Sequence, residues 1–256
     1  MNQHQDAVPA RTGALSVLWR RFGPLATELA LVVALYSLYS IMRSASPDRR
    51  SLAMANADAI ERAEMAFGLN IESGLNALFV RHQWLADAGS YWYQTLHMLA
   101  VVAVLVWMWR SRRAAYKTMR TALALVMVGG LATYWLFPLA PPRFALTGAV
   151  DTMTAHPVLF WGDNVTGLAN LYAAMPSLHV AWAVWCAVAI VLLNRSAWRH
   201  LAWLYPLTTT FVVIGTANHY LLDAAAGTMY TVVGVAFALR WYGSVRPSDE
   251  RVPIRA

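Results

Sequence analysis

Cysteine occurs once in the 256 residues, at Cys186. A single thiol excludes an intramolecular disulfide and any cysteine-based zinc site. Charge is scarce as well: Asp, Glu, Lys and Arg make up 13% of the chain, about half of the roughly 25% usual in a soluble domain. Hydrophobic residues reach 59% and the mean hydropathy is +0.44, so soluble globular and disordered classes are both excluded. There is no internal repeat and no low-complexity tract. Aromatics are plentiful, with 12 Trp and 11 Tyr, and such amphipathic rings suit the belts at a membrane–water boundary.

A membrane-crossing helix needs about 20 mostly apolar residues. Six segments qualify: 24–42, 88–109, 121–139, 175–193, 200–217 and 221–241. The expected fold is therefore all-α, a polytopic six-transmembrane-helix bundle. Residues 1–23 and 243–256 form its tails, and 24–242 its membrane domain. No cleavable signal is expected, because polar and basic residues precede the first apolar run, which reads as a retained span. The formal net charge of +7 is explained by threading rather than by nucleic acid. Arg11, Arg20 and Arg21, the run from Arg110 to Arg120, Arg195 and Arg199, and the cations from Arg240 to Arg255 all fall on one side of a six-span chain. The positive-inside rule then makes both termini cytoplasmic in a plasma or inner membrane. The long first outer loop, 43–87, carries helical spacings over Ser51 to Phe67 and Ile71 to Leu85. These read as two short interfacial helices packed over the bundle.

Polar residues inside such a bundle are costly, about 2.5–3.5 kcal/mol for a central Asp, Lys or Arg. Of the 7 histidines, His4, His82, His156 and His200 lie in tails, loops or turns, and His97 on the second span is assigned to packing. His179 and His219 remain. His179 follows Met175-Pro176-Ser177-Leu178, where proline opens a helix and Ser177 with the free N–H groups of the first turn forms an anion site. His219 lies in Asn218-His219-Tyr220-Leu221-Leu222-Asp223. At a spacing of four, Asp223 shares a helical face with His219 and can take its Nδ1–H, leaving Nε2 as a nucleophile. Both histidines open spans that start from the outer side. Arg143 follows Pro141-Pro142 in the outer loop between the third and fourth spans, and a guanidinium grips phosphate through paired hydrogen bonds. Taken singly, each motif has a commoner structural meaning: a helix start, a chance pair, a topology cation. Together Arg143, Ser177, His179, Asn218, His219 and Asp223 suit phosphoryl transfer, with an anion clamp, a nucleophilic imidazole and a second imidazole as general acid.

These residues, Phe137 to Arg143, Met175-Pro176-Ser177-Leu178-His179 and His219-x-x-x-Asp223, resemble the three signature regions of the type 2 phosphatidic acid phosphatase superfamily. Ala-Met-Pro-Ser-Leu-His with Asn-His-Tyr-x-x-Asp is most similar to its inositolphosphotransferase branch, which includes inositol phosphorylceramide synthases. The resemblance implies that His219 attacks phosphorus to form a phosphohistidine and that Asp223 is its partner. It also implies that His179 protonates the leaving group and that Ser177 binds phosphate. Two departures from the phosphatase pattern stand out: Leu136 lies where a Lys is usual, and Val212-Val213 where Ser-Arg is usual. With fewer cations the cradle suits a phosphodiester or glycosyl-phosphate better than a dianionic monoester, unless Asn218, Tyr172 or Asn170 substitutes.

The expected function is a lipid phosphotransferase or phosphohydrolase at the outer membrane face, needing no metal or cofactor. Its partners would be a phospholipid or lipid-phosphate donor and an alcohol or water acceptor. A phosphatase of phosphatidic acid or prenyl (di)phosphates is the alternative. A non-catalytic lipid-binding or transport protein is the reading from another class. Oligomeric state is not legible.

Overall fold

Backbone groups removed from water have to bond within their own segment, so the apolar stretches of this chain take helical form. A computed structural model describes residues 49–155 and 171–245, with scattered positions between 23 and 41. The chain divides into two units, Met1–Ala45 and Ser46–Ala256. In the first, every described position is helical, and the Thr27 hydroxyl donates to the Gly23 carbonyl at 2.9 Å. The expected first span, 24–42, lies for the most part outside the described residues, as do most of both tails.

The second unit opens with α1 (Arg50–Ala66) and α2 (Glu72–Arg81). Next come α3 (Gln83–Ser111) and α4 (Arg113–Leu136). Then follow α5 (Leu178–Leu193), α6 (Leu204–Gly215) and α7 (Leu221–Tyr242). Single helical turns occupy Pro142–Ala145 and Thr152–Ala155, and a 3-10 stretch, Ala197–Trp203, leads into α6. Among the described residues the one strand-like feature is a parallel bridge between Leu139 and Ala173.

α3, α4 and α7 are long and apolar enough to cross a membrane and coincide with the second, third and sixth expected spans. The other two differ. α5 is apolar throughout but has 16 residues, about 24 Å at 1.5 Å per residue against a hydrocarbon core of about 30 Å. It starts at Leu178, with Ser177 as its N-cap, so that Pro176 precedes the helix instead of opening its first turn as expected. The segment 200–217 is broken: its first part is 3-10, and α6 proper has 12 residues. Both first-loop helices are present. α2 ends at Arg81, short of the expected Leu85, because the chain restarts as α3 at Gln83.

α3, α4, α5 and α7 enclose a core of Met108, Met119, Trp185, Cys186, Leu193 and Val235. Trp185 is wholly buried, and its indole N–H donates to the Met119 carbonyl at 2.8 Å, satisfying its one polar atom. α7 packs most extensively on α4. At that crossing a Cβ on Gly234 would stand 3.0 Å from Val126 Cγ2, and such small residues let backbones approach where lipid supplies no hydrophobic drive. Val232, Val233 and Phe237 on α7 are exposed, a contiguous apolar face suited to lipid.

One end of this bundle is tied by backbone bonds. The Leu139 N–H donates to Tyr172 O at 2.9 Å, the Ala174 N–H to Leu139 O at 3.2 Å, and the Ala140 N–H to Ala53 O at 3.1 Å. α1 adds Asn56, whose amide donates to Pro138 O at 2.8 Å. α2 adds the buried Asn76, whose amide donates to Gly215 O at 2.9 Å and Val150 O at 3.0 Å. The first-loop helices thus act as a brace over the ends of α4, α5, α6 and α7.

Candidate active site

The five-residue connection from α6 to α7 sets the site. Ala217 adopts φ +54, a left-handed conformation that costs an L-residue roughly 1–2 kcal/mol. Both the Asn218 and His219 N–H groups then turn back to Val213 O, each at 3.1 Å. His219 is 4% exposed. Its Nδ1 lies 2.8 Å from Ala174 O and 3.4 Å from Asp223 Oδ2. A carbonyl only accepts, so the ring hydrogen sits on Nδ1 and the lone pair on Nε2. The carboxylate anticipated for this role is present, but the shorter bond goes to the Ala174 backbone. Asp223 is fully buried and its Oδ2 also accepts the Tyr220 N–H at 2.9 Å, closing the first turn of α7.

α5 is seated on that same turn. The Ser177 N–H donates to the Asp223 carbonyl at 3.0 Å. The Ser177 hydroxyl is fully buried and accepts the Val180 N–H at 3.4 Å. Two residues on, the His179 ring lies 6.2 Å from the His219 ring, centroid to centroid. Arg143, on the single turn Pro142–Ala145, is tied to the loop that carries His219. Its N–H donates to Ala217 O at 3.0 Å, its guanidinium donates to Asn218 Oδ1, and its Nε lies 3.4 Å from Asp151 Oδ2. The Asn218 amide in turn donates to Thr216 Oγ1 at 2.9 Å. The structure therefore brings Arg143, Ser177, His179, Asn218, His219 and Asp223 to one end of the bundle, where two imidazoles and a tethered guanidinium can meet an anion.

A family model for the PAP2 superfamily matches residues 58–237. The chain belongs to the PAP2 superfamily. It is also similar to the phosphoinositol dihydroceramide synthase of Bacteroides thetaiotaomicron, with 25% identity over 183 residues, 62% of this chain and 58% of that protein. The chain thus spans less than two thirds of the relative's length. No solved structure matches it. With three helices of spanning length, this PAP2 chain is an integral membrane protein.

The two departures from the PAP2 phosphatase pattern have distinct surroundings. Leu136 is 78% exposed at the end of α4. Val213 is fully buried in α6, and its carbonyl serves the two turn-closing bonds described above. Tyr172 packs edge-on against Phe144, with centroids 6.5 Å apart, while Asn170 and His156 lie outside the described residues.

One residue assigned to packing belongs to this cluster. The His97 ring is fully buried, with its centroid 4.8 Å from that of His179, and Tyr93 stacks on His179 at 3.9 Å. His97 Nδ1 lies 2.7 Å from the Tyr205 hydroxyl, and its Nε2 has no hydrogen-bond partner among the described residues. The π-helical widening at Trp92–Leu96, immediately before His97, offsets the helical register there. A plain helical wheel cannot anticipate that offset. The available signal was the cost of an imidazole inside an apolar span.

Proposed function

We propose that this PAP2 protein, a lipid phosphotransferase or phosphatase by family and relative, transfers a phospho-head group from a lipid phosphodiester to a hydroxyl acceptor. His219 Nε2 attacks phosphorus, and the bond from phosphorus to the lipid oxygen breaks. That oxygen takes a proton from the His179 imidazolium. The acceptor hydroxyl then loses its proton to His179 and attacks the phosphohistidine, so that the N–P bond breaks and both rings return to their starting forms. Arg143 neutralises charge on the non-bridging oxygens, and Ser177 and Asn218 complete the phosphate-binding set. The observation that carries this reading is the 2.8 Å approach of His219 Nδ1 to the Ala174 carbonyl, which leaves Nε2 free of that bond, with the His179 ring 6.2 Å away.

Transfer is favoured over hydrolysis because, among the described residues, Arg143 is the cation tied to the His219 loop through Asn218, while Leu136 and Val213 supply none. The named relative is a phosphoinositol dihydroceramide synthase, and in keeping with that the reading takes a phosphodiester lipid as donor and a hydroxylated lipid as acceptor. The reaction lies at the outer face of a six-span chain with both termini inside. Arg112 and Arg199 support that threading: at the far end of α5 they donate to the Leu193 and Asn194 carbonyls, at 3.0 and 3.2 Å.

The test is a mass-labelled phosphodiester lipid, supplied with an acceptor alcohol to the outer leaflet of sealed, right-side-out vesicles carrying the protein. The expected product is a new lipid bearing the labelled head group. Inorganic phosphate or a free phosphorylated head group would replace transferase by phosphohydrolase. Product formed only after the vesicles are opened would overturn the outer-face placement.

His97 stands behind His179 in this reading and backs its ring, with its own ring anchored by the Tyr205 hydroxyl. Substituting His97→Phe keeps the ring volume and should lower kcat by about 10- to 100-fold and shift the pH limb that reports His179. A wild-type pH–rate profile in that variant would return His97 to a packing role.

A further inference from the structure

The first turn of α7 is held by more acid than a helix end calls for. Glu64, near the end of α1, is 1% exposed, and its Oε1 accepts the Leu222 N–H at 2.8 Å. Glu72, the first residue of α2, is 3% exposed, and its Oε1 accepts the Leu221 N–H at 2.9 Å. Asp223 accepts the Tyr220 N–H. Three successive N–H groups, those of Tyr220, Leu221 and Leu222, are thus satisfied by three carboxyl groups, two of them about 150 residues away in sequence. A helix N-terminus presents roughly half a positive charge, which cannot balance three buried carboxylates.

We infer that Glu64 and Glu72 are positioning residues for the His219–Asp223 pair, acting as a carboxyl–carboxylate couple that shares one proton and locks the brace helices α1 and α2 onto the first turn of α7. Glu64 Oε2 is buried and accepts no hydrogen bond among the described residues. A proton there turns an orphan acceptor into a donor, and the Glu72 carboxylate beside it is the partner. Asp223, at the start of α7, is the further charge acting on Glu64, and Glu61 of α1 joins Glu64, Glu72 and Asp223 around the Tyr220 phenol. The Tyr220 phenol is raised by burial first and then by these carboxylates, so it keeps its proton. Burial first, and the neighbouring Glu72 and Asp223 charges after it, push Glu64 up to about 8, against the opposing bond from Leu222. The inference rests on His219 and Asp223 being the reactive pair, because the couple touches neither substrate nor His179.

A carboxyl group whose folded pKa is raised above its unfolded value of 4.5 binds more protons folded than unfolded. Its stabilisation is full below that value and is lost as the pH climbs towards about 8. Glutamine reproduces the protonated form, since its carbonyl accepts the Leu222 N–H and its amide donates to Glu72.

The experiment measures thermal unfolding and kcat and KM of the full chain in lipid nanodiscs from pH 5 to 9.5, for wild type, Glu64→Gln and Glu64→Ala. Wild-type Tm should fall by about 5 °C over that range beyond the fall in Glu64→Gln. At neutral pH Glu64→Ala should lose kcat at least tenfold with KM within twofold, and Glu64→Gln should restore it. A Glu64→Gln chain whose Tm falls with pH as steeply as the wild type would overturn the shared proton. A Glu64→Ala chain with wild-type kcat would overturn the positioning role. Were no lipid turned over by any variant, the proposed reaction would fail, while the Tm comparison would still decide the carboxyl couple.

Discussion

Replacing His219 by alanine should abolish turnover, by about 10⁴-fold or more, equivalent to about 5 kcal/mol of barrier. Among the described residues no other imidazole is placed to take over its line of attack. His179 approaches from α5 and is held by the stacked Tyr93 ring and by His97. A donor lipid carrying ³²P should leave an acid-labile, alkali-stable label on the wild-type protein and none on His219→Ala. His179→Ala should slow both formation and breakdown of that label, because one group serves the leaving oxygen and the acceptor. Asp223→Asn should cost less than His219→Ala. In a triad whose aspartate alone orients the histidine, the corresponding change costs about 10⁴-fold through the wrong tautomer. Here the Ala174 carbonyl, at 2.8 Å, holds the Nδ1 hydrogen without the carboxylate. Equal losses in the two variants would show that the backbone bond does not set the tautomer, and a full label on His219→Ala would end the assignment of the nucleophile.

What was legible in the chain followed from scarcity. In an apolar sequence, Arg143, His179, His219 and Asp223 stand out because each costs free energy to bury, and all four meet at one end of the bundle. The periods of α3, α4 and α7 were equally plain, because about 20 consecutive apolar residues have few alternatives to a helix in lipid. Three things were hidden. The bond from Nδ1 to Ala174 O depends on where the chain before α5 lies, which is fixed by the bridge between Leu139 and Ala173. Pairing across 34 residues by backbone atoms leaves no side-chain pattern. His97 was masked by the π-helical widening before it, which shifts its face away from the one a regular helix assigns. Glu64 and Glu72 fell inside the two expected first-loop helices with no role of their own, since spacing cannot tell a solvated glutamate from one that caps a helix 149 residues further on.

The approach of α5 to α7 gives the second large effect. An added Cβ on Gly227 would lie 2.3 Å from the Ser177 carbonyl oxygen and 3.3 Å from Ala181 N. That carbonyl already accepts the Ala181 N–H at 3.0 Å, and the Ser177 N–H is bound to the Asp223 carbonyl. One turn further along α7, the Thr231 hydroxyl donates to Ala181 O at 2.7 Å. The clash is therefore with anchored backbone, and no side chain can swing aside to relieve it. Gly227→Ala would gain up to about 1 kcal/mol of helix propensity, but forcing α5 outward costs about 3 kcal/mol, the upper part of the usual overpacking range. The displacement carries His179 away from His219, and about 1 Å at a reacting centre is worth about 100-fold in rate. Gly227→Ala should therefore lose both Tm and at least 100-fold in kcat. Gly74→Ala in α2, where a Cβ meets nothing within 4 Å, should gain slightly in Tm and keep its rate. Equal behaviour of the two variants would mean that the contact at Ser177 does not set the distance between the two imidazoles. A stable but slow Gly227→Ala chain would instead place the whole cost in the geometry of the pair.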